Sequence, residues 1–407
     1  MQMALKTTSI RASFLIPRQI TAGLSVLLLF FYEQFMHTRG SGPEPLKTHQ
    51  ILKLVEPQMK RFLERDMSFY NNTRIYVEDL LNLIDREQYQ GKLGLFKVEK
   101  GRVEHIAGAS GELIFSDFVH HILPAAARRI SHLDLQPLYV LVNGWDEPLG
   151  QTHFGKPGCL TNLLSQHANL EHRYPLSDEE MLRTPVWSPA KLQCQRDLLY
   201  PYWQLSTFPK ITNVTPWEEK IPKIFWRGSS SGAGTLRKLH TTNHRIRLVR
   251  SFLNLTDSDI RLSTIFHYHT IPEWKNLSRE LLTANLTGNY VAIDQWSTYK
   301  FLLDIGGSSY SQRLSELCQM RSVVFVISPY DDLLLRSLHT GRHYFRVGLS
   351  GAKLLALLED LRADDDIAKQ ISNRLLNQYK KYMGSKDYVV NYISAALILL
   401  NSSVHFA

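Results

Sequence analysis

Three short stretches carry residue types whose spacing can do chemistry. The first is Val142-Asn143-Gly144-Trp145-Asp146-Glu147-Pro148. An apolar run ends there and a carboxylate pair follows in a turn closed by proline. The carboxyl end of a parallel strand is where α/β proteins place reacting groups. A carboxylate at that point can take a proton from a hydroxyl as its oxygen attacks, although an Asp that merely fixes a turn has the same sequence appearance. The second stretch is Trp226-Arg227-Gly228-Ser229-Ser230-Ser231-Gly232-Ala233-Gly234, with Arg237, Arg245 and Arg247 in the helical segment after it. Glycine lets main-chain N–H groups approach an anion, a helix start adds a favourable dipole, and arginine offers a two-pronged phosphate contact. The third is Asp304-Ile305-Gly306-Gly307-Ser308-Ser309-Tyr310-Ser311-Gln312-Arg313, read as a Gly/Ser loop opening a helix at Gly306-Gly307 with Arg313 about one turn in. Two such cradles in one half of the chain, each with an arginine, suit one diphosphate.

The second stretch also satisfies G-x-S-x-G at Gly228–Gly232, with Ser230 in the place of a nucleophile. A hydrolase would then draw its acid and histidine from Asp304 or Asp331 and His339 or His343. No HGGG-type oxyanion motif lies upstream, and the second Gly/Ser loop with its arginine would go unexplained. Asp364-Asp365-Asp366 reads as a solvated helix start, because no strand precedes it. His120, His121, His267 and His269 read as ordinary polar residues, and His343 is the histidine retained as a candidate. Cys159, Cys194 and Cys318 allow one bridge at most, with Cys159–Cys194 the pairing considered, and there is no CxxC motif for zinc or redox work.

The elements that must position these residues follow from hydrophobic spacing. Segments 47–66 and 75–89 carry apolar residues at helical intervals. Residues 95–98 and 103–106 read as a hairpin around Lys100-Gly101. A helix over about 113–130 leads to a buried strand at 137–142. Further strands are expected at 221–226, 299–304 and 322–327, each an apolar run bounded by turn signals. The tail, roughly 351–362 and 366–400, reads as helical. Strands alternating with helices imply parallel sheets with ligands at the strands' carboxyl ends.

Residues 19–32 are uncharged and mostly apolar, with Lys6, Arg11 and Arg18 before them and Glu33 after. This reads as a signal-anchor over 19–36, following a cytosolic tail over 1–18. Residues 37–46 form a stem linker. Six of the 16 asparagines (Asn71, Asn213, Asn254, Asn276, Asn285 and Asn401) begin N-x-S/T sequons, which fits a lumenal body. The expected location is the Golgi (or ER) membrane, single-pass type II. The net charge of +9 is dispersed without a basic run, so no nucleic-acid partner is expected.

Taken together, the ordered stretches resemble glycosyltransferase family 90, the group of protein O-glucosyltransferases and fungal capsule-associated xylosyltransferases. The resemblance runs over about residues 94–350 and includes Val142–Pro148, Phe225–Ser229, Tyr299 through Arg313, Ser322–Val326 and Gly341–Val347. It implies an α/β protein of GT-B type, two Rossmann-like domains facing a central cleft, here expected at 47–215 (acceptor side) and 216–407 (donor side with the C-terminal helices). It implies a UDP-sugar donor, a glycan or glycoprotein acceptor, and inverting transfer with no cofactor or metal. By position Asp146 is the catalytic base, and Arg227, Gly228, Ser229, Arg245, Gly307, Ser311 and Arg313 are donor-binding. Ser308 and Ser309 stand where relatives often carry small apolar residues, and the cysteine framework and retrieval tail of the animal enzymes are missing. A non-catalytic relative that binds a glycan or nucleotide is the other reading.

Overall fold

The computed structural model describes residues 46–86, 91–110, 115–144, 184–192, 195–202, 211–231, 243–253, 255, 257–265, 279–307, 309–348 and 352–407. The expected anchor, Asp146, Ser308, Cys159, Cys194, Arg237, His267 and His269 lie outside them. Among the described residues, no helix is long and apolar enough to cross a membrane.

The periodic segment 47–66 forms two helices rather than one, α1 (Thr48–Leu54) and α2 (Pro57–Ser68). Pro57 has no N–H to extend the α1 ladder, and Glu56 caps α2 by accepting from the Met59 N–H at 3.1 Å. A short strand, β1 (Thr73–Ile75), precedes α3 (Val77–Ile84) where one helix was expected. The hairpin forms as β2 (Leu93–Glu99) and β3 (Arg102–Gly108). Its turn has Lys100 and Gly101 at φ of 46° and 79°, the left-handed pair that a tight hairpin turn requires. A π-helical turn over Phe118–Ile122 runs into α4 (Leu123–Arg129). Next come β4 (Leu138–Asn143), β5 (Val186–Ser188), β6 (Ala190–Lys191) and β7 (Leu198–Leu199). The first sheet has the order β3-β2-β4-β5-β7. It is mixed: β2 runs antiparallel to both β3 and β4, and only β4-β5-β7 are parallel.

The second sheet, of order β13-β11-β10-β8-β9, is parallel throughout. Its strands are β8 (Ile221–Ser229), β9 (Ser258–Thr264), β10 (Tyr299–Ile305), β11 (Val323–Ile327) and β13 (Phe345–Arg346). Helices α5 (His244–Phe252), α6 (Leu314–Leu317) and α7 (Leu333–Arg336), and the strand β12 (Asp331–Asp332), fall between them. All of Val323–Ile327 is buried, as parallel strands covered on both faces require. Phe225 stacks on Tyr299 at 4.1 Å and meets Trp296 edge-on at 5.1 Å.

The helical tail comprises α8 (Ala352–Ala363), α9 (Asp365–Lys381) and α10 (Lys386–Ser403), so 366–400 is interrupted by a turn at Gly384. Asp364 caps α9, accepting from the Ile367 N–H at 3.0 Å. Although it follows the second sheet in sequence, α10 packs on α1, α2 and α4 of the first half. Its Val389, Ile393, Ala396, Leu397 and Leu400 are fully shielded, and each large aliphatic contributes about 1.5–3 kcal/mol by leaving water. The tail then forms a strand where none was expected: β14 (Val404–Phe406) pairs in parallel with β1, Thr73 opposite Val404.

A buried ion cluster ties the two halves. Asp66 of α2 accepts from Arg336 of α7 at 2.5 Å and pairs with Lys191 of β6 at 2.9 Å. β6 in turn pairs with β12. The two cations hold the Asp66 carboxyl below its ordinary range against the opposing effect of burial. Burial and the charge of Arg336 pull Lys191 down to about 8.

Candidate functional site

Arg227, Gly228 and Ser229, expected in a loop, lie in the last turn-free residues of β8. Strand β9 pairs alongside them, with Gly228 opposite Leu262 and Ser229 opposite Thr264. The side chain of Arg227 is turned along the sheet rather than out from its end. It donates to Asp259 Oδ1 at 2.7 Å, to the carbonyl oxygens of Asp259 and Asn289 at 2.9 and 3.2 Å, and lies over the Phe225 ring. Its charge is thus met by Asp259, a residue with no sequence signature of its own. Gly228 is required sterically, because a Cβ there would collide with the Trp226 ring.

Arg245 is the brace of the site. Asn243 caps α5 through its side-chain oxygen, accepting from the N–H groups of Arg245 and Ile246, and donates from Nδ2 to the Ser230 carbonyl. That fixes the first turn of α5 against the end of β8. From there the Arg245 guanidinium donates to the Ser229 carbonyl at 3.1 Å and Ser231 Oγ at 2.9 Å on one side. On the other it reaches the carbonyls of Ile305 at 2.8 Å and Gly306 at 3.1 Å. His244 Nε2 donates to the same Gly306 oxygen at 2.6 Å. The two Gly/Ser stretches are therefore stapled together by one buried arginine. Burial, with Arg313 alongside, pulls Arg245 down to about 9, which leaves it a cation at neutral pH. Gly307 lies against it, since a Cβ there would sit 3.4 Å from Arg245 Nη2.

Arg313 does not stand one turn into a helix that opens at Gly306. The Gly306 N–H bonds the Ile327 carbonyl at 3.0 Å, which holds the loop to the sheet edge, and α6 opens only at Leu314 with Arg313 as its N-cap residue. The guanidinium lies over two indoles, 5.9 Å from the Trp226 ring centre and 5.1 Å from that of Trp296. Nη1 donates to the Arg227 carbonyl at 2.7 Å. Among the described residues no acceptor engages its Nε or Nη2, so this is the arginine with donors left for a ligand. Ser311 is buried, and its carbonyl accepts from Tyr202 of the first half at 3.0 Å.

Ser230 is fully buried, its N–H bonded to the Thr264 carbonyl at 2.9 Å and its own carbonyl held by Asn243. This continues the sheet and does not make the sharp turn that exposes a nucleophilic serine. Asp331 is occupied by Arg346 at 2.6 Å. His343 is buried, its Nδ1 accepts from the His339 N–H, and burial pulls it down to about 4.

Asp146 lies outside the described residues, but the strand that leads to it is anchored. Asn143, the last residue of β4, is fully buried. It donates from Nδ2 to Ser188 Oγ at 3.0 Å, and its carbonyl accepts from Tyr200 at 2.9 Å. Ser188 donates to Asp197, whose carbonyl takes Lys191 of the Asp66 cluster. Tyr200, Ser188 and Asp197 have no motif to announce them. Their only sequence signal is a polar residue inside an apolar stretch.

The glycosyl transferase family 90 model matches residues 171–401. An O-glucosyltransferase rumi homolog of Aedes aegypti is 26% identical over 229 residues, covering 50% of this chain and 53% of the relative. The corresponding protein of Anopheles gambiae is 26% identical over 217 residues, 47% and 49%. The chain thus spans about half the length of these curated relatives. Among solved structures, TarM aligns over 62% of this chain and 49% of its own at 12% identity, TM-score 0.35. The C-terminal domain of the Francisella tularensis glycosyl transferase LpcC aligns over 39% and 83% at 13% identity, TM-score 0.28. With more than half of its length matched by the family model, the chain belongs to glycosyl transferase family 90.

Proposed function

We propose that this protein transfers a sugar, glucose or xylose, from a UDP-sugar to a hydroxyl of a glycan or protein acceptor by an inverting single displacement. The observation that carries the reading is the convergence of Arg245, Arg313 and Gly307 at the carboxyl ends of the parallel strands β8 and β10. That is where α/β folds bind anionic ligands. Arg313 contacts the donor diphosphate, Arg245 holds both loops in register, and Arg227 shapes the strand end through Asp259. Asp146 takes the proton of the acceptor hydroxyl as its oxygen attacks the anomeric carbon. Negative charge gathering on the departing UDP is stabilised by the arginines, which supply the positive charge without a metal ion. The mosquito relatives are named as O-glucosyltransferases, which supports glucose as the donor sugar.

In this reading the two sheets are the halves of a GT-B fold, and 19–36 anchors a lumenal body to the Golgi or ER membrane. Of the sequon asparagines among the described residues, Asn71, Asn213 and Asn285 are exposed, which supports that placement. The deciding experiment measures UDP release by the purified protein against a panel of UDP-sugars with glycan and glycoprotein acceptors. Anomeric configuration is then followed by NMR. Acceptor-dependent release with inversion is expected, and no release with any UDP-sugar would overturn the reading.

A further inference from the structure

We propose that Tyr200-Pro201-Tyr202 is a strap that sets the acceptor half against the donor loop, with Tyr200 and Tyr202 as positioning residues for sugar transfer. The inference rests on the reading of this site as a UDP-sugar site.

The strap begins where β7 ends. The Tyr200 N–H bonds the Ser188 carbonyl at 3.1 Å, which extends the pairing of β7 with β5 by one residue. Pro201 has no N–H to carry that ladder further, and its ring fixes φ. The residues on either side of it are buried, Tyr200 fully and Tyr202 at 5% exposure. Their phenols hold different halves of the protein. Tyr200 Oη donates at 2.9 Å to the carbonyl of Asn143, the last residue of β4 and three residues before Asp146. Its ring stacks on Phe118 at 5.0 Å. Tyr202 Oη donates at 3.0 Å to the carbonyl of Ser311, two residues before Arg313, and its ring lies 4.1 Å from that of Tyr310.

The Ser311 carbonyl also accepts, at 3.4 Å, from the Leu314 N–H that opens α6. Arg313, the N-cap residue between them, is therefore fixed relative to the Tyr202 phenol. The beginning of the same loop is held from within the second half, by the Gly306 N–H on the Ile327 carbonyl and by Arg245 on the Gly306 carbonyl. Its end is held from the first half. A stiff three-residue segment thus ties the strand that leads to the proposed base to the loop that carries the donor arginine. Transfer tolerates little error in that relation, since misplacing a reacting group by about 1 Å can cost ~100-fold in rate. The seam itself does not depend on the strap. Asp66 with Arg336 and Lys191, β6 with β12, and α10 on α1, α2 and α4 also join the halves. Removing one phenol oxygen leaves those contacts in place, so its effect falls on the loop or on the strand end.

The test uses Tyr→Phe variants, which keep both rings, with UDP affinity read by calorimetry, kcat by acceptor-dependent UDP release, and Tm. Tyr202→Phe is expected to weaken UDP binding by about threefold to tenfold, the effect of a lost buried hydrogen bond. In an Arg313→Ala background the same change should add little, because Tyr202 acts through Arg313. Tyr200→Phe is expected to leave UDP affinity unchanged and to lower kcat by about tenfold. A merely structural pair would lower Tm and leave UDP affinity and kcat at wild-type values. That outcome overturns the proposal, as does an equal loss of affinity from Tyr202→Phe with and without Arg313. Should Tyr202→Phe not fold, hydrogen exchange on wild type decides. Saturating UDP is expected to slow exchange within 195–202 as well as within 304–314, and protection confined to the second half overturns the strap while leaving the UDP site intact. If wild type fails to bind UDP at all, the reading of the site falls together with this inference.

Discussion

Arg313 donates from Nη1 to the main-chain carbonyl oxygen of Arg227, 2.7 Å away, so the loop after β10 is fastened to the end of β8 by the very side chain that has donors left for a ligand. The guanidinium lies over the rings of Trp226 and Trp296. An arginine placed in this way presents a planar fork, whereas a lysine would offer a point charge with no matching geometry. Arg313→Lys should weaken UDP binding, and Arg313→Ala should weaken it by roughly 10- to 150-fold, the effect of losing a charge-assisted contact of ~1.5–3 kcal/mol. Unchanged UDP affinity in the alanine variant, read by calorimetry, would move the donor away from this loop.

Gly228 sits where the Trp226 ring passes, and that ring also lies beneath the guanidinium groups of Arg245 and Arg313. Adding a methyl group must displace the indole, an overpacking cost of about 1–3 kcal/mol. Gly228→Ala is expected to lower Tm and, through the shifted arginines, to reduce UDP affinity as well. A variant with normal stability and normal binding would show that the indole moves at no cost and positions neither arginine.

For Asp146, the proposed base, Asp146→Asn should leave folding and UDP affinity nearly unchanged while transfer falls at least ~100-fold, the usual scale for losing a general base. The comparison to make is turnover at saturating donor against UDP binding in the same preparation. If more than about a third of wild-type turnover survives, Asp146 is a turn residue and another group takes the proton.

Asp66 lies between Arg336 and Lys191 at the seam of the two halves. Removing its charge strands two buried cations, and Asp66→Asn should cost about 3–5 kcal/mol at pH 7. The sign with pH follows from its depressed folded-state value relative to 3.8. The wild-type advantage is complete above the ordinary Asp range and fades as pH falls through the lower folded-state value. Urea unfolding of both proteins from pH 7 down to pH 3 should show the gap narrowing. A gap independent of pH would mean that the carboxylate contributes by shape alone.

How much of this was legible beforehand depended on whether the physical cause was local. The strands 221–226, 299–304 and 322–327 were readable because buried parallel strands must be continuously apolar, and the hairpin because Lys100-Gly101 offers a tight turn. Pro57 was equally visible, yet the periodicity across it masked the break between α1 and α2. The sequence by itself also determined which residues could meet a diphosphate, since Gly/Ser stretches with arginines are uncommon and their chemistry is general. It could not determine what each arginine does, because a guanidinium takes whichever acceptors tertiary structure brings within reach. Asp259 arrives on β9 and turns Arg227 along the sheet, Gly306 follows β10 and makes a brace of Arg245, and Arg313 keeps its Nε and Nη2 unengaged among the described residues. The same holds for Ser230, whose G-x-S-x-G setting is cancelled by the pairing of β8 with β9. It holds too for Val404–Phe406, a strand only because Thr73–Ile75 lies beside it. Long-range pairing decides such residues, and nothing in their immediate neighbours along the chain encodes it.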